Sequence, residues 1–214
     1  MLIQLLFSGQ YLIFATILVS IIFSLTLHEF GHAYSAKLLG DDTAQRMGRL
    51  TLNPLAHIDP MGLLMVMVVG FGYAKPVPTD PRRIKYSWGS AAVAAAGPFM
   101  NLLLAILAVN TLQLATVSST FDLSNQSAFF LSFMAQINLL LMLFNLIPFG
   151  PLDGHYIMSW ALPQKLRRQY DYYNGRYGGQ LFLILIVLSI FGLPIFSRLM
   201  GFSRTLIPYL VFVG

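Results

Sequence analysis

The segment LTLHEFGHAYSAKLLG, Leu25 to Gly40, holds two histidines and a glutamate within five residues. It closes a run with no charged side chain from Met1 to Leu27. On an α-helix His28 and His32 lie about 40° apart around the axis, so both imidazoles can grip one ion. Glu29 projects beside them, where a carboxylate can take a proton from water. H-E-x-x-H on a helix is the arrangement of a zinc hydrolase whose glutamate is the general base. Three ionisable groups at the end of an apolar helix are costly in a bilayer unless they serve a function.

Two histidines leave such a centre incomplete. Catalytic zinc takes three protein ligands and keeps a fourth position open. The chain has no cysteine, so imidazole and carboxylate must supply them. Of eight acidic residues, Asp41, Asp42, Asp59, Asp80, Asp122 and Asp171 lie in polar stretches and read as solvated surface charges. Apart from Glu29, Asp153 remains, in NLIPFGPLDGH. Alone, its LDG would be an ordinary turn. Paired with HEFGH at one membrane depth it reads as the third ligand, giving one Zn2+ per chain.

These groups need elements to carry them. Hydrophobic residues make up 57% of the 214 and charged ones 10%, against roughly 25% charged in a soluble domain. Mean hydropathy is +0.70. Uncharged runs cover 1–28, 60–74, 86–121, 123–152 and 177–197. Four are long enough for a span of about 20 residues, whereas 60–74 would make only about 22 Å of helix. A helix is expected over 10–39 with Gly40 as its cap, then an irregular stretch to 60. Proline-rich AKPVPTDPRRIKYSW must be extended or looped. Helices follow at 88–115 and 127–147, then a basic, tyrosine-rich segment at 163–178 and an apolar region from Gln180 onward. The expected fold is an all-α polytopic membrane protein. One integral-membrane domain would fill 1–214, with a catalytic core at about 10–155 and a C-terminal membrane region at about 179–214.

A net charge of +5 would suggest nucleic acid in a soluble protein. Here the positive-inside rule accounts for it, and no nucleic-acid partner is expected. Of thirteen Lys and Arg, all but Arg198 and Arg204 lie in 37–87 or 163–178, and none lies in 116–126. The first two regions are therefore expected in the cytoplasm and the third outside. Residues 61–73, flanked on one side only, would form a re-entrant or membrane-embedded extended segment. The first apolar run has no charged n-region or cleavage site, so it reads as retained.

HEFGH, then AAGPFMN (Gly97 to Asn101) on the middle helix, then NLIPFGPLDG (Asn145 to Gly154), in this order, resembles the site-2 protease family of intramembrane zinc metalloproteases. HIDPMG at 57–62 and YAKPVPTDP at 73–81 resemble the membrane-associated loop region of its compact bacterial and archaeal members. The resemblance implies that His28, His32 and Asp153 hold zinc and that Glu29 activates water. It implies a substrate that is itself a transmembrane protein in a bacterial or archaeal membrane. Many relatives carry a PDZ or CBS domain, for which this chain has no room. Asn145 reads on its own as a cap or a packing hydrogen bond. The resemblance favours a donor to the scissile carbonyl or the developing oxyanion. Gly97 and Asn101 read as positions of close helix packing. His57 is open between a spare ligand, a partner behind a ligand and an interfacial residue, and His155 reads as solvated or behind Asp153. Trp88, Tyr86, Tyr170, Tyr172, Tyr173 and Tyr177 fit an interfacial aromatic belt.

Other functions make different demands. A membrane-anchored peptidase for soluble peptides would want a sizeable extramembrane domain. A metal or proton-coupled transporter would want ligands at several depths. An inactive scaffold would not need Glu29.

Overall fold

A computed structural model describes residues 2–117 and 124–213. Helix α1 (Leu2–Phe7) leads into α2 (Tyr11–Leu38), which ends where Gly40 takes φ +105°. Only glycine adopts that conformation without strain, so the expected cap forms. After the short α3 (Thr43–Arg46) comes α4 (Pro60–Val69), then α5 (Gly89–Val117), α6 (Asn125–Asn145), α7 (Asp153–Ala161), α8 (Gln164–Ile190) and α9 (Ile195–Leu206). Among the described residues the fold is all-helical, and three helices, α2, α5 and α6, are long and apolar enough to cross a membrane. The fourth long uncharged run, 177–197, is divided between two helices. Its first part ends α8, and a break at Gly192 and Pro194 separates it from α9. Asp122 and most of the 116–126 loop lie outside the described residues.

Helix α5 is the centre of the bundle, packed along both α2 and α6. A Cβ on Gly31 would sit 2.6 Å from Met100 Cγ and 2.8 Å from Ala96 O, so the α2–α5 approach depends on a bare backbone there. The distribution of polarity is inverted relative to a soluble protein. Ser20, Ser24, Asn101 and Asn138 are fully buried, while Leu107 on α5 is 63% exposed. Apolar side chains facing outward around a polar seam suit a hydrocarbon solvent.

The segment expected to re-enter forms a helix followed by an extended return. Asp59 caps α4 by accepting from Met61 N and Gly62 N, both at 2.9 Å, with Pro60 in the first turn. Gly70, at φ +84°, turns the chain back, and Ala74 bridges to Ile58. Both ends of the excursion thus meet. Gly62 and Gly72 let its two arms touch, since a Cβ on either would overlap backbone of the other arm. Asp41 corrects the sequence reading. It is fully buried, not a solvated charge, and accepts from Thr43 N, Thr43 Oγ1 and Asp80 N. The C-terminal residues pack on the end of the bundle away from Asp153. Asn110 on α5 donates to Leu210 O and accepts from Phe212 N.

Candidate metal centre

His28 and His32 stand one turn apart in the second half of α2, both buried. Asp153 opens α7, just after the loop that follows α6. The three meet. His28 Nε2 and His32 Nε2 are 3.0 Å apart, and Asp153 Oδ2 lies 3.3 Å from the first and 3.4 Å from the second. Among the described residues this is the one His/Cys/Asp/Glu group close enough to hold a metal ion.

The hydrogen bonds behind the rings decide which nitrogens carry protons. His32 Nδ1 lies 2.7 Å from Val93 O, an atom that can only accept. Nδ1 must therefore donate, leaving a lone pair on Nε2 in the neutral ring. His28 is set by a longer chain. Asn138 Nδ2 donates to Met134 O and Ser24 Oγ, both at 2.9 Å, so its Oδ1 accepts from Asn101 Nδ2 at 2.8 Å. Asn101 Oδ1 then takes the proton of His28 Nδ1 at 2.7 Å. Both imidazoles thus turn bare nitrogens toward a buried carboxylate oxygen, Asp153 Oδ2, that has no hydrogen-bond partner. Three electron pairs converging this closely repel one another unless a proton or a metal cation sits between them. This donor set fits zinc, which takes imidazole nitrogen and carboxylate oxygen in tetrahedral sites.

Gly97 makes room for the rings. A Cβ there would fall 2.5 Å from His32 Cε1 and 2.6 Å from His28 Cε1. Close packing at Gly97 was the sequence expectation, but here it is packing against the site itself. Asn101 departs from that expectation. It is a fully buried hydrogen-bond partner of His28, and the residue behind it, Asn138, carried no signal in the sequence. Gly154 permits the tight loop that delivers Asp153, because a Cβ there would overlap the carbonyls of Leu146 and Ile147.

Glu29 and Asn145 join His28, His32 and Asp153 in lining a cavity of about 1300 Å³. Its other walls come from α4, the 70–84 stretch, α5, α6, α8 and α9. Phe71, Phe144, Phe182 and Phe196 cluster in its wall, with ring centroids 5.5 to 6.1 Å apart. Glu29 Oε2 accepts from Val77 N at 3.1 Å. Asn145 Nδ2 donates to Leu141 O at 3.0 Å, a bond within its own helix that leaves the second amide hydrogen.

The other two histidines lie elsewhere. His57 is buried beneath the 73–80 stretch with Nε2 against Thr51 O at 2.8 Å, and takes no part in the three-residue cluster. His155 faces Tyr170, with ring centroids 5.0 Å apart, and Asp171. Burial pushes its imidazole below the usual histidine range, against the pull of Asp171. Tyr170 leaves the expected aromatic belt to donate to Pro148 O. Tyr86 and Trp88 stack on each other and remain exposed.

A model of peptidase family M50 matches residues 16–121 and 110–189. The Bacillus subtilis protein named "Putative zinc metalloprotease YwhC" is 39% identical over 178 residues, covering 80% of each chain. Rip2 of Mycolicibacterium smegmatis, described in the same words, is 32% identical over 154 residues, 67% of this chain and 56% of its own. Zinc metalloprotease MJ0392 of Methanocaldococcus jannaschii is 26% identical over 151 residues, 71% of this chain and 35% of its own. The chain thus spans most of the Bacillus relative but only about half and a third of the other two. No solved structure matches it. The converging His28, His32 and Asp153 stand within the family match and within a helical membrane fold, and the chain belongs to peptidase family M50, the site-2 proteases, a family of zinc metalloendopeptidases.

Proposed function

We propose that this protein is an intramembrane zinc endopeptidase that hydrolyses peptide bonds in or near the transmembrane segments of other membrane proteins. One observation carries the reading: three converging metal-ligand donors and a glutamate line one cavity at the ends of membrane-spanning helices. His28, His32 and Asp153 hold one zinc. When bound, zinc supplies a Lewis acid that makes water nucleophilic at neutral pH and polarises a carbonyl. Glu29, with Oε2 engaged by Val77 N–H, uses its other oxygen to accept the proton of the attacking water and pass it to the leaving amine. Asn145 turns its second amide hydrogen to the scissile carbonyl, whose oxygen gains negative charge as the bond is attacked. The large apolar share of the cavity wall suits a substrate arriving from lipid. Such a substrate must unwind locally, because a helix keeps its carbonyls hydrogen-bonded.

The site faces the cytoplasm in this reading, because the basic segments 37–87 and 163–178 flank it. Cysteines introduced at Gln45 and Asp80 should both label from the cytoplasm, and opposite labelling would overturn the orientation. The function is tested by comparing membranes that contain wild-type protein with membranes that contain Glu29→Gln. Truncated membrane proteins should accumulate only with the wild type. Identical membrane proteomes would refute the assignment.

A further inference from the structure

The stretch 73–80 lies across Glu29, and two prolines interrupt its backbone donors there. Val77 stands between Pro76 and Pro78, neither of which has an N–H. The Val77 N–H is therefore the one backbone donor of the tripeptide, and it goes to Glu29 Oε2 at 3.1 Å. The carbonyl of the same peptide group, Pro76 O, accepts from Arg49 Nη1 at 3.0 Å. Arg49 Nη2 reaches the preceding carbonyl, Lys75 O, at 2.5 Å. Arg49 is 6% exposed, so this fork is held inside the protein.

We propose that Arg49 is a positioning residue for the reaction, acting on Glu29 through the Pro76–Val77 peptide group. A peptide bond is planar and trans, so fixing its oxygen fixes the direction of its N–H on the opposite edge. Guanidinium at the carbonyl end and carboxylate at the amide end also align with the peptide dipole, and each hydrogen bond polarises the other. The remaining ties of the stretch, Lys75 N to His57 O at 2.8 Å and Asp80 N to Asp41 Oδ2 at 2.6 Å, hold its ends but not this peptide plane. Burial lowers the Arg49 pKa from its usual value, against the opposing pull of the Glu29 charge. A lysine at 49 would keep the charge but not the planar fork that spans two successive carbonyls. The inference rests on the reading of Glu29 as general base.

The experiment is a double-mutant cycle in detergent-purified full-length protein, with zinc content measured throughout. Arg49→Ala should keep the wild-type zinc content and a KM within about twofold, while kcat falls roughly 10- to 100-fold, the scale of a lost hydrogen bond to a charged group. Added guanidinium should raise the Ala variant's rate and leave the wild type unchanged. In the Glu29→Gln background the same substitution should have no further effect on the residual rate, since nothing remains to be positioned. Arg49→Lys should fall between wild type and Ala. It decides the matter if Ala does not yield a monodisperse protein. An equal loss in both backgrounds, loss of zinc, a rise in KM alone, or an unfolded Lys variant would assign Arg49 to architecture and overturn the proposal. Normal turnover by Glu29→Gln alone would instead refute the general-base reading, and that is read independently.

Discussion

The two sides of the site are built differently. On one side, α5 and α6 hold the imidazoles through fully buried side chains of the helical bundle, Asn101 and Asn138, and through the carbonyls of Val93 and Met134. On the other, Glu29 meets an extended, proline-interrupted stretch tied down from loops by Arg49, His57 and Asp41. The helical side is sealed from bulk water, and both side-chain amides behind His28, Asn101 and Asn138, have their oxygen and nitrogen matched. The extended side is built from backbone groups whose orientation depends on a few contacts. The helical side should therefore govern whether metal is retained, and the extended side how well the chemistry runs once metal is in place.

The largest effect tests the premise. Asp153→Ala should remove stoichiometric zinc, measured by elemental analysis, and reduce cleavage to background. A variant with full zinc and activity would show that the ligand set is wrong. His28→Ala and His32→Ala should behave alike.

Glu29→Gln sharpens the comparison from the catalytic side. It should keep the metal and lose at least about a hundredfold in single-turnover rate, the lower end of what a positioned base contributes. Loss of zinc here would blur the division between metal-holding and chemistry.

Asn145→Ala comes next, with zinc retained and a loss on the order of a hundredfold, from roughly 2.7–4 kcal/mol of transition-state stabilisation. Asn145→Asp should be as damaging, since its charge repels a developing oxyanion. Full activity in the Ala variant would reduce Asn145 to its bond with Leu141 O.

The smallest effect on turnover belongs to Asn138, the residue farthest back on the helical side. Asn138→Leu should weaken zinc about 10- to 100-fold in competition with a chelator, the usual cost of losing support behind a ligand. At saturating zinc its cleavage rate should stay near normal. A rate defect with unchanged zinc affinity would break the proposed division.

How much could be read in advance follows from the nature of each signal. The helical repeat places His28 and His32 on one face of α2 wherever that helix sits, and the apolar runs foretold α2, α5 and α6 nearly to their ends. Counting crossings brought Asp153 to the depth of HEFGH. Proline and glycine marked the turn at Gly40 and the extended path of 74–81. The apolar run at 177–197 became the end of α8 and the start of α9. A run of apolar residues does not reveal that Gly192 and Pro194 will divide it between two helices.

What the sequence determined by itself is the chemistry available and the side of the membrane helices to which it is attached. Both rest on residue types and on periods of local structure. Tertiary structure alone decided that Asp41 is buried, that Asn101 and Asn138 set the His28 tautomer, and that Arg49 and Val77 reach Glu29. The partners of Arg49, His32 and Glu29 are backbone groups at Pro76, Val93 and Val77, 27, 61 and 48 residues distant. A backbone carbonyl is the same at every position, and the N–H is the same at every residue but proline. No residue type announces which of them will be used, and only folding brings it within reach.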